Sequence, residues 1–279
     1  MRIDAHQHVW RVDRGDYGWL KPELGVLYRD YAIADLVPHL EYAGIDGTVL
    51  VQAAPTVAET EYLLRIAADE PRVHGVVGWI DFAAVGAPAD LERLAVHPGL
   101  KGLRPMIQDI DDTDWMLQKE LTPAFEALSQ TGLVFDALVL PRHLENLSTL
   151  CARHPDLRVV IDHAAKPEIA NWGTDLKARS AWSAHMARLA RDTSCSCKFS
   201  GLVTESGANW SIDHIAPFAE SLFEHFGPER LLFGSDWPVV NLAGGYARWW
   251  DTAQQLCAGL SAQQRDAVFG GNAIRTYGL

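Results

Sequence analysis

Two histidines separated by one residue, His6 and His8, close the first apolar stretch of the chain, Ile3-Asp-Ala-His-Gln-His8. Residues i and i+2 of a strand share a face, so the spacing predicts Asp4, His6 and His8 on one side and Ile3, Ala5 and Gln7 on the other. Two imidazoles at a strand end can bind a metal, polarise a carbonyl or pass a proton. The pair alone does not choose among these. Further polar groups recur at the ends of other apolar runs: Gln52, Trp79 with Asp81, Lys101 with Arg104, and Asp136. Three more runs end in Asp162-His163-Ala-Ala-Lys166, in Lys198 with Ser200, and in Gly234-Ser-Asp236-Trp237-Pro238. Alternation groups Asp236 with Leu232 and Gly234, and His163 with Ile161 and Val159. It sets Lys198 and Ser200 opposite Cys195 and Cys197.

Each residue also has a plain structural reading. Asp162 would bond loop backbone, and Lys101 would be a solvated strand-edge charge. Arg104 could make a structural ion pair. Trp79 and Trp237 could be core aromatics, and Asp236 a turn residue. The functional reading rests on the set, with His6, His8, His163 and Asp236 at three separate strand ends.

The elements that must position these groups alternate along the whole chain. Strands are predicted at 2–8, 47–53, 73–81, 100–104, 133–139, 158–163, 194–201 and 231–236. They are short and rich in Val, Ile, Leu and Phe, as expected of strands buried on both faces. Helices are predicted at 34–43, 57–69, 88–96, 123–131, 141–153, 174–191, 211–226 and 246–258, with a terminal helix after Ser261. Thr56 with Glu59 and Ser261 with Gln264 read as capping boxes, Thr122 as an N-cap, and Gly44, Gly132 and Gly227 as helix ends. Eight strands each followed by a helix predict an α/β fold, a distorted (β/α)₈ TIM barrel in one domain over 1–279. A doubly wound open sheet would usually place a glycine-rich phosphate turn after its first strand, where this chain has His-Gln-His. The segment 9–32 is too long for a simple connection. It carries Trp10, Trp19 and three tyrosines, and reads as a lid over the C-terminal mouth of the barrel.

The run His6-Gln-His8, the run Asp162-His163-Ala-Ala-Lys166-Pro, the run Gly234-Ser-Asp236-Trp-Pro and the closing Gly270-Gly-Asn-Ala-Ile-Arg275 together resemble the amidohydrolase superfamily. The likeness is nearest to its L-fuconolactonase-like and L-rhamnonolactonase-like sugar-lactone hydrolases. It implies Asp236 as general base on water, with His6, His8 and His163 as further catalytic groups. Many relatives hold one or two divalent metals through the His-x-His pair, a strand-5 lysine or histidine, a strand-6 histidine and the strand-8 aspartate. Strand 5 here offers Asp136 instead, which departs from the binuclear pattern. The lactonase branch implies no obligatory metal. If one divalent ion such as zinc were taken, His6, His8, His163 and Asp236 would be its ligands.

For substrate, a pyrone dicarboxylate would call for several arginines. A neutral sugar lactone needs aromatic platforms and short polar groups, supplied by Trp10, Trp19, Trp79, Trp237, Gln52 and Asn241, with Arg104 and Lys166. The sequence therefore predicts a lactonase that opens an aldono-lactone such as L-fuconolactone. A mononuclear-metal hydrolase or decarboxylase, and a catalytically lapsed sugar-binding barrel, are the alternatives.

The net charge of −12, without a basic cluster, argues against nucleic acid as a partner. No run is long and apolar enough for a membrane span, and the first residues do not read as a secretory signal. Cys151, Cys195, Cys197 and Cys257 have no CxxC spacing and read as reduced, packed thiols of a cytoplasmic protein. Self-association into a homo-oligomer is left open.

Overall fold

The apolar runs form eight parallel strands, which pair in the order of the chain. They are β1 Ile3–Gln7, β2 Gly47–Val51, β3 Val73–Gly78, β4 Leu100–Leu103, β5 Val134–Ala137, β6 Arg158–Ile161, β7 Ser196–Phe199 and β8 Leu231–Phe233. This computed structural model describes residues 1–172 and 175–279. Helices fill the connections: α1 Ile33–Ala43, α2 Val57–Asp69, α3 Ala87–Ala95, α4 Thr122–Thr131, α5 Leu144–Arg153, α6 Ile169–Trp172, α7 Leu176–Asp192, α8 Leu202–Glu205, α9 Ile212–Phe226, α10 Tyr246–Leu256, α11 Ala262–Asp266 and α12 Asn272–Tyr277. The expected helix start at 174 lies outside the described residues. The fold is the predicted single-domain (β/α)₈ barrel. No helix among the described residues is long and apolar enough to cross a membrane.

Two apolar layers hold it together. Ile3, Ala5, Val49, Val51, Val77, Val134, Val160 and Leu232 fill the lower barrel, closed from below by Ala273 and Tyr277 of α12. The opposite strand faces, among them Leu50, Val76, Leu103, Phe135, Ile161, Cys197 and Phe233, pack against the helices. Val134 and Val160 therefore point inward, and two residues further on so do Asp136 and Asp162.

Strand 1 departs from simple alternation. Its register against β2 shifts between Asp4 and Gln7. Ile3 and Ala5 both pack in the inner layer, Asp4 turns outward to Tyr246 of α10, and His6 and His8 turn inward. The expected sharing of a face by Asp4, His6 and His8 is thus corrected for Asp4. The cause is one irregularity in the pairing, which alternation along a single strand does not register.

The observed strands are also shorter than predicted, because the site residues leave the ladder before projecting upward. At helix starts, Thr122 is the first helical residue and Leu121 the cap. Thr56 caps α2, but Glu59 does not return to Thr56. Its buried carboxylate instead accepts from the Ala53 and Ala54 N–H groups and ties down the loop after β2. The capping box at Ser261 and Gln264 is present in both directions.

Candidate active site

The barrel closes between β1 and β8 through a few contacts at the upper strand ends, and these place the site. The backbone N–H of Asp236 donates to the His6 carbonyl at 2.8 Å, and that of His8 to the Trp237 carbonyl at 2.7 Å. Asp4 Oδ1 accepts from the N–H groups of Ser235 (2.8 Å) and His6 (3.2 Å), and Asp4 Oδ2 from the Tyr246 hydroxyl (3.1 Å). Gly234 permits this approach, since a Cβ there would lie 2.7 Å from the His6 Cβ.

After β6 the chain does something rarer. His163, Ala164, Ala165 and Lys166 have φ of 51, 53, 59 and 52°. They form one left-handed turn, closed by the Lys166 N–H on the His163 carbonyl at 2.8 Å. Left-handed backbone costs about 1–2 kcal/mol per non-glycine residue. Burial of both alanines and a bond from Trp182 Nε1 to the Ala164 carbonyl (2.9 Å) offset that cost. The turn points both His163 and Lys166 into one cavity.

That cavity is about 270 Å³ and opens at the C-terminal ends of the strands. His8, Arg104, Gln108, Asp109, His163, Lys166 and Asp236 supply polar groups to it, and Trp19, Leu24 and Leu27 of the 9–32 segment supply one wall. Two roomier hollows, of about 840 and 630 Å³, lie respectively below the barrel around Arg2 and Asp46 and beside α5 and α7. Neither brings together the strand-end groups. The 270 Å³ cavity is the one of these three that gathers them.

Asp236 Oδ1 lies 3.3 Å from His8 Nε2 and 3.8 Å from Nε2 of both His6 and His163. Burial alone would raise its carboxyl, but the imidazoles of His163, His8 and His6 set against it outweigh burial and hold it below the usual carboxylate range. Burial lowers all three histidines, with Lys198 adding to the effect on His6, and His163 is pushed down to about 4. Near neutral pH the site is a carboxylate among neutral imidazoles. His8 Nδ1 lies 2.8 Å from the Val51 carbonyl, which can only accept, so the proton of His8 is on Nδ1 and its Nε2 presents a lone pair. His163 Nδ1 meets the Ser200 hydroxyl at 2.8 Å.

Arg104 lies under the cavity, donating Nη1 to Asp162 Oδ2 at 3.3 Å and Nη2 to the Gln52 carbonyl. Below it sits a group of buried charges. Lys198 Nζ bonds Asp136 Oδ2 and His6 Nδ1 (2.9 Å) and pairs with Asp162 Oδ1 at 3.0 Å, while the Tyr277 hydroxyl donates to Asp136.

The sequence-predicted residues separate into three groups. His6, His8, His163 and Asp236 converge, and Arg104 and Lys166 join His8, His163 and Asp236 at the cavity, with His6 fully buried behind them. Gln52 is fully buried, with its Nε2 donating to the Arg104 carbonyl at 2.7 Å, so it braces Arg104 rather than facing the cavity. Three of the four tryptophans lie elsewhere. Trp10 is buried, edge-on to Trp19 and Tyr31, with Nε1 donating to the Arg29 carbonyl. Trp237 is buried against Tyr31. Trp79 lines a separate hollow beside Phe82 and Trp115. Trp10, Trp237 and Trp79 are therefore not cavity platforms. Trp19, with Nε1 on the Ala53 carbonyl (2.7 Å), is the aromatic side chain that reaches the cavity. Asp162 does not bond loop backbone as expected; it is an interior acid opposite Arg104 and Lys198. Inward parity of Lys198 was readable from β7, but its pairing with Asp136 and Tyr277 needs the tertiary fold.

The donor set fits one divalent cation. Ligand atoms of His6, His163 and Asp236 lie within 4.8 Å of one another. Asp162 Oδ1 is buried without an aligned hydrogen bond, 3.5 Å from His6 Nδ1. A carboxylate there is what a metal-bound histidine usually has behind it.

Fold and site define a hydrolase-type barrel with its chemistry at the strand C-termini, and the chain belongs to the amidohydrolase family, whose model matches residues 3–279. Two curated relatives are both named L-fucono-1,5-lactonase. The one from Burkholderia ambifaria is 43% identical, over 99% of this chain and 95% of that protein. The one from Burkholderia multivorans is 37% identical, over 100% and 96%. A crystal structure of an amidohydrolase from Burkholderia multivorans with bound zinc superposes with a TM-score of 0.93 at 37% identity, covering 100% of this chain and 99% of that one.

Proposed function

We propose that the protein is a cytoplasmic sugar-lactone hydrolase that opens an aldono-lactone, such as L-fucono-1,5-lactone, to its acid. The observation that carries this is Asp236, an ionised carboxylate at the edge of a monosaccharide-sized cavity, in contact with three neutral imidazoles. The names of the two curated relatives support the substrate class.

In this reading Asp236 takes a proton from water as the water oxygen attacks the lactone carbonyl. Arg104, with an N–H of His6 or His163, stabilises the oxyanion. Collapse breaks the bond to the ring oxygen, and the proton held on Asp236 passes to that leaving alkoxide. An alkoxide leaves more readily than an amine, so the step does not demand an obligatory metal. A divalent ion held by His6, His163 and Asp236, with His8 beside them, would supply Lewis-acid polarisation of the carbonyl.

Arg104 and Lys166 are the cationic side chains at the cavity among the described residues, and Lys166 faces Glu205 at 3.7 Å. That is thin provision for a dicarboxylate and favours a neutral sugar. The 9–32 segment, with Trp19, Leu24 and Leu27 at the wall, serves as a lid. A second reading, a mononuclear-metal hydrolase, is favoured by the close donor set and the zinc-bound relative. A pH-indicator screen of sugar lactones of both ring sizes tests the first reading. Turnover of a 6-deoxy-aldonolactone is expected, and inactivity on every lactone would overturn it.

A further inference from the structure

Lys198 is buried in the barrel interior; the sequence placed it at a strand end without giving it a role, and it lines none of the cavities described above, yet it bonds His6 from behind. His6 Nδ1 faces Lys198 Nζ at 2.9 Å and Asp162 Oδ1 at 3.5 Å. His6 Nε2 faces His8 Nε2 at 3.2 Å, Arg104 Nη1 at 3.4 Å and Asp236 Oδ1 at 3.8 Å. A neutral imidazole has one proton for these two nitrogens, and an ammonium is donor-only.

With the proton on Nε2, both short contacts are hydrogen bonds. Lys198 donates to the Nδ1 lone pair, and Nε2–H donates to the lone pair that His8 is left with by its bond to Val51. With the proton on Nδ1, both short contacts become repulsive: N–H against ammonium, and lone pair against lone pair. What that form gains is longer, namely Asp162 at 3.5 Å and Arg104 at 3.4 Å. Arg104 Nη1 has Asp162 Oδ2 as another acceptor at 3.3 Å.

We infer that Lys198 is a positioning residue that holds His6 in the Nε2–H tautomer, so that His6 presents a hydrogen-bond donor, not a metal-binding lone pair, toward His8 and the Asp236 side of the site. Asp162 holds the opposite alternative in reserve. When a divalent ion takes Nε2, the His6 proton must move to Nδ1, and Asp162 Oδ1, which lacks an aligned donor, becomes its acceptor. Lys198 and Asp162 thus compete for one nitrogen, and the outcome decides whether His6 serves as donor or ligand. This deepens, and rests on, the reading of the protein as a lactonase with no obligatory metal.

The test is the tautomer itself. In ¹⁵N-labelled wild-type protein freed of metal by chelation, long-range ¹H–¹⁵N correlation spectra, assigned with His6→Gln, are expected to show His6 protonated at Nε2 and His8 at Nδ1. A His6 proton at Nδ1 in that sample overturns the proposal. Zinc added to the same sample is expected to move the His6 proton to Nδ1, and binding of zinc at His6 with Nε2 still protonated would equally overturn it. Lys198→Met, with Asp136→Asn to remove the stranded acid, is expected to show His6 at Nδ1 before metal is added. It should also bind zinc about tenfold tighter in competition with a chromophoric chelator. Should that variant fail to fold, the wild-type spectra alone decide. Loss of lactone hydrolysis on chelation would overturn the functional reading while leaving the tautomer result to stand or fall separately.

Discussion

The backbone N–H of Asp236 donates to the carbonyl of His6 at 2.8 Å, across the one seam of the barrel that lacks a regular ladder. The bond sets the carboxylate of strand 8 against the imidazoles of strand 1, with Asp236 Oδ1 3.3 Å from His8 Nε2. The proposed general base and the proposed carbonyl donors are thus positioned by the same contacts that complete the fold.

Asp4 holds that seam from outside, so its replacement should separate stability from polarity. Asp4→Ala strands the N–H groups of Ser235 and His6, and a buried unpaired donor costs about 1–3 kcal/mol. A loss of roughly 2–4 kcal/mol in denaturant unfolding is expected, with a fall in kcat. Asp4→Asn keeps an acceptor for both N–H groups, and the Tyr246 hydroxyl can accept from its amide. It should retain most of the stability.

The left-handed turn that carries His163 depends on Gly201, whose φ is +71° and where a Cβ would come within 2.6 Å of the His163 Cβ. Gly201→Ala is expected to cost about 2–4 kcal/mol and to lower kcat about tenfold or more by displacing the imidazole. Ala165→Gly, in the turn itself, relieves backbone strain without touching the site. The strain relieved and the methyl burial lost nearly cancel, so it should leave kcat unchanged and Tm within a few degrees, and a fall in kcat for this variant would contradict the account of the turn.

Much of the architecture was legible in the sequence. Short Val- and Ile-rich runs alternating with helical patterns gave the barrel, and polar residues at strand ends gave its working face. Three things were not legible, each for a physical reason. The irregularity in β1 reverses the facing of Asp4 and appears only in pairing with β2. Trp10 and Trp237 are apolar enough for core and broad enough for a sugar platform, and composition does not separate the two; the fold buries them with Tyr31. The Lys198–Asp136–Tyr277 contact joins β7, β5 and the last helix, whose meeting below the site no local pattern encodes.

The pH profile should distinguish the carboxylate from the imidazoles as base. Asp236 is held below the usual carboxylate range by its histidine neighbours against burial, so it stays ionised as pH falls. His163 is lowered to about 4, chiefly by burial, and charges only as pH drops through that value. The kcat/KM for lactone hydrolysis is therefore expected to be flat from about pH 5 to pH 8 and to fall on the acid side below about 4–5. An acid limb near 6.5, the ordinary histidine value, would point to a histidine base instead.

Trp19 reaches the cavity from the 9–32 segment and is fixed by its bond to the Ala53 carbonyl. Trp19→Ala should raise KM about tenfold with kcat changed by no more than about threefold, as expected for lost uniform binding. An unchanged KM would remove the segment from the binding account.

The most direct measurement is the rate of L-fucono-1,5-lactone hydrolysis by chelator-dialysed enzyme, wild type beside Asp236→Asn, with metal content measured on the same samples. Metal-free wild type is expected to keep its rate within about twofold, and Asp236→Asn to lose about a thousandfold, within the range for a general base. Loss of the wild-type rate on chelation with recovery on adding zinc, or a full rate in Asp236→Asn, would contradict the assignment of Asp236 as a base that works without an obligatory metal.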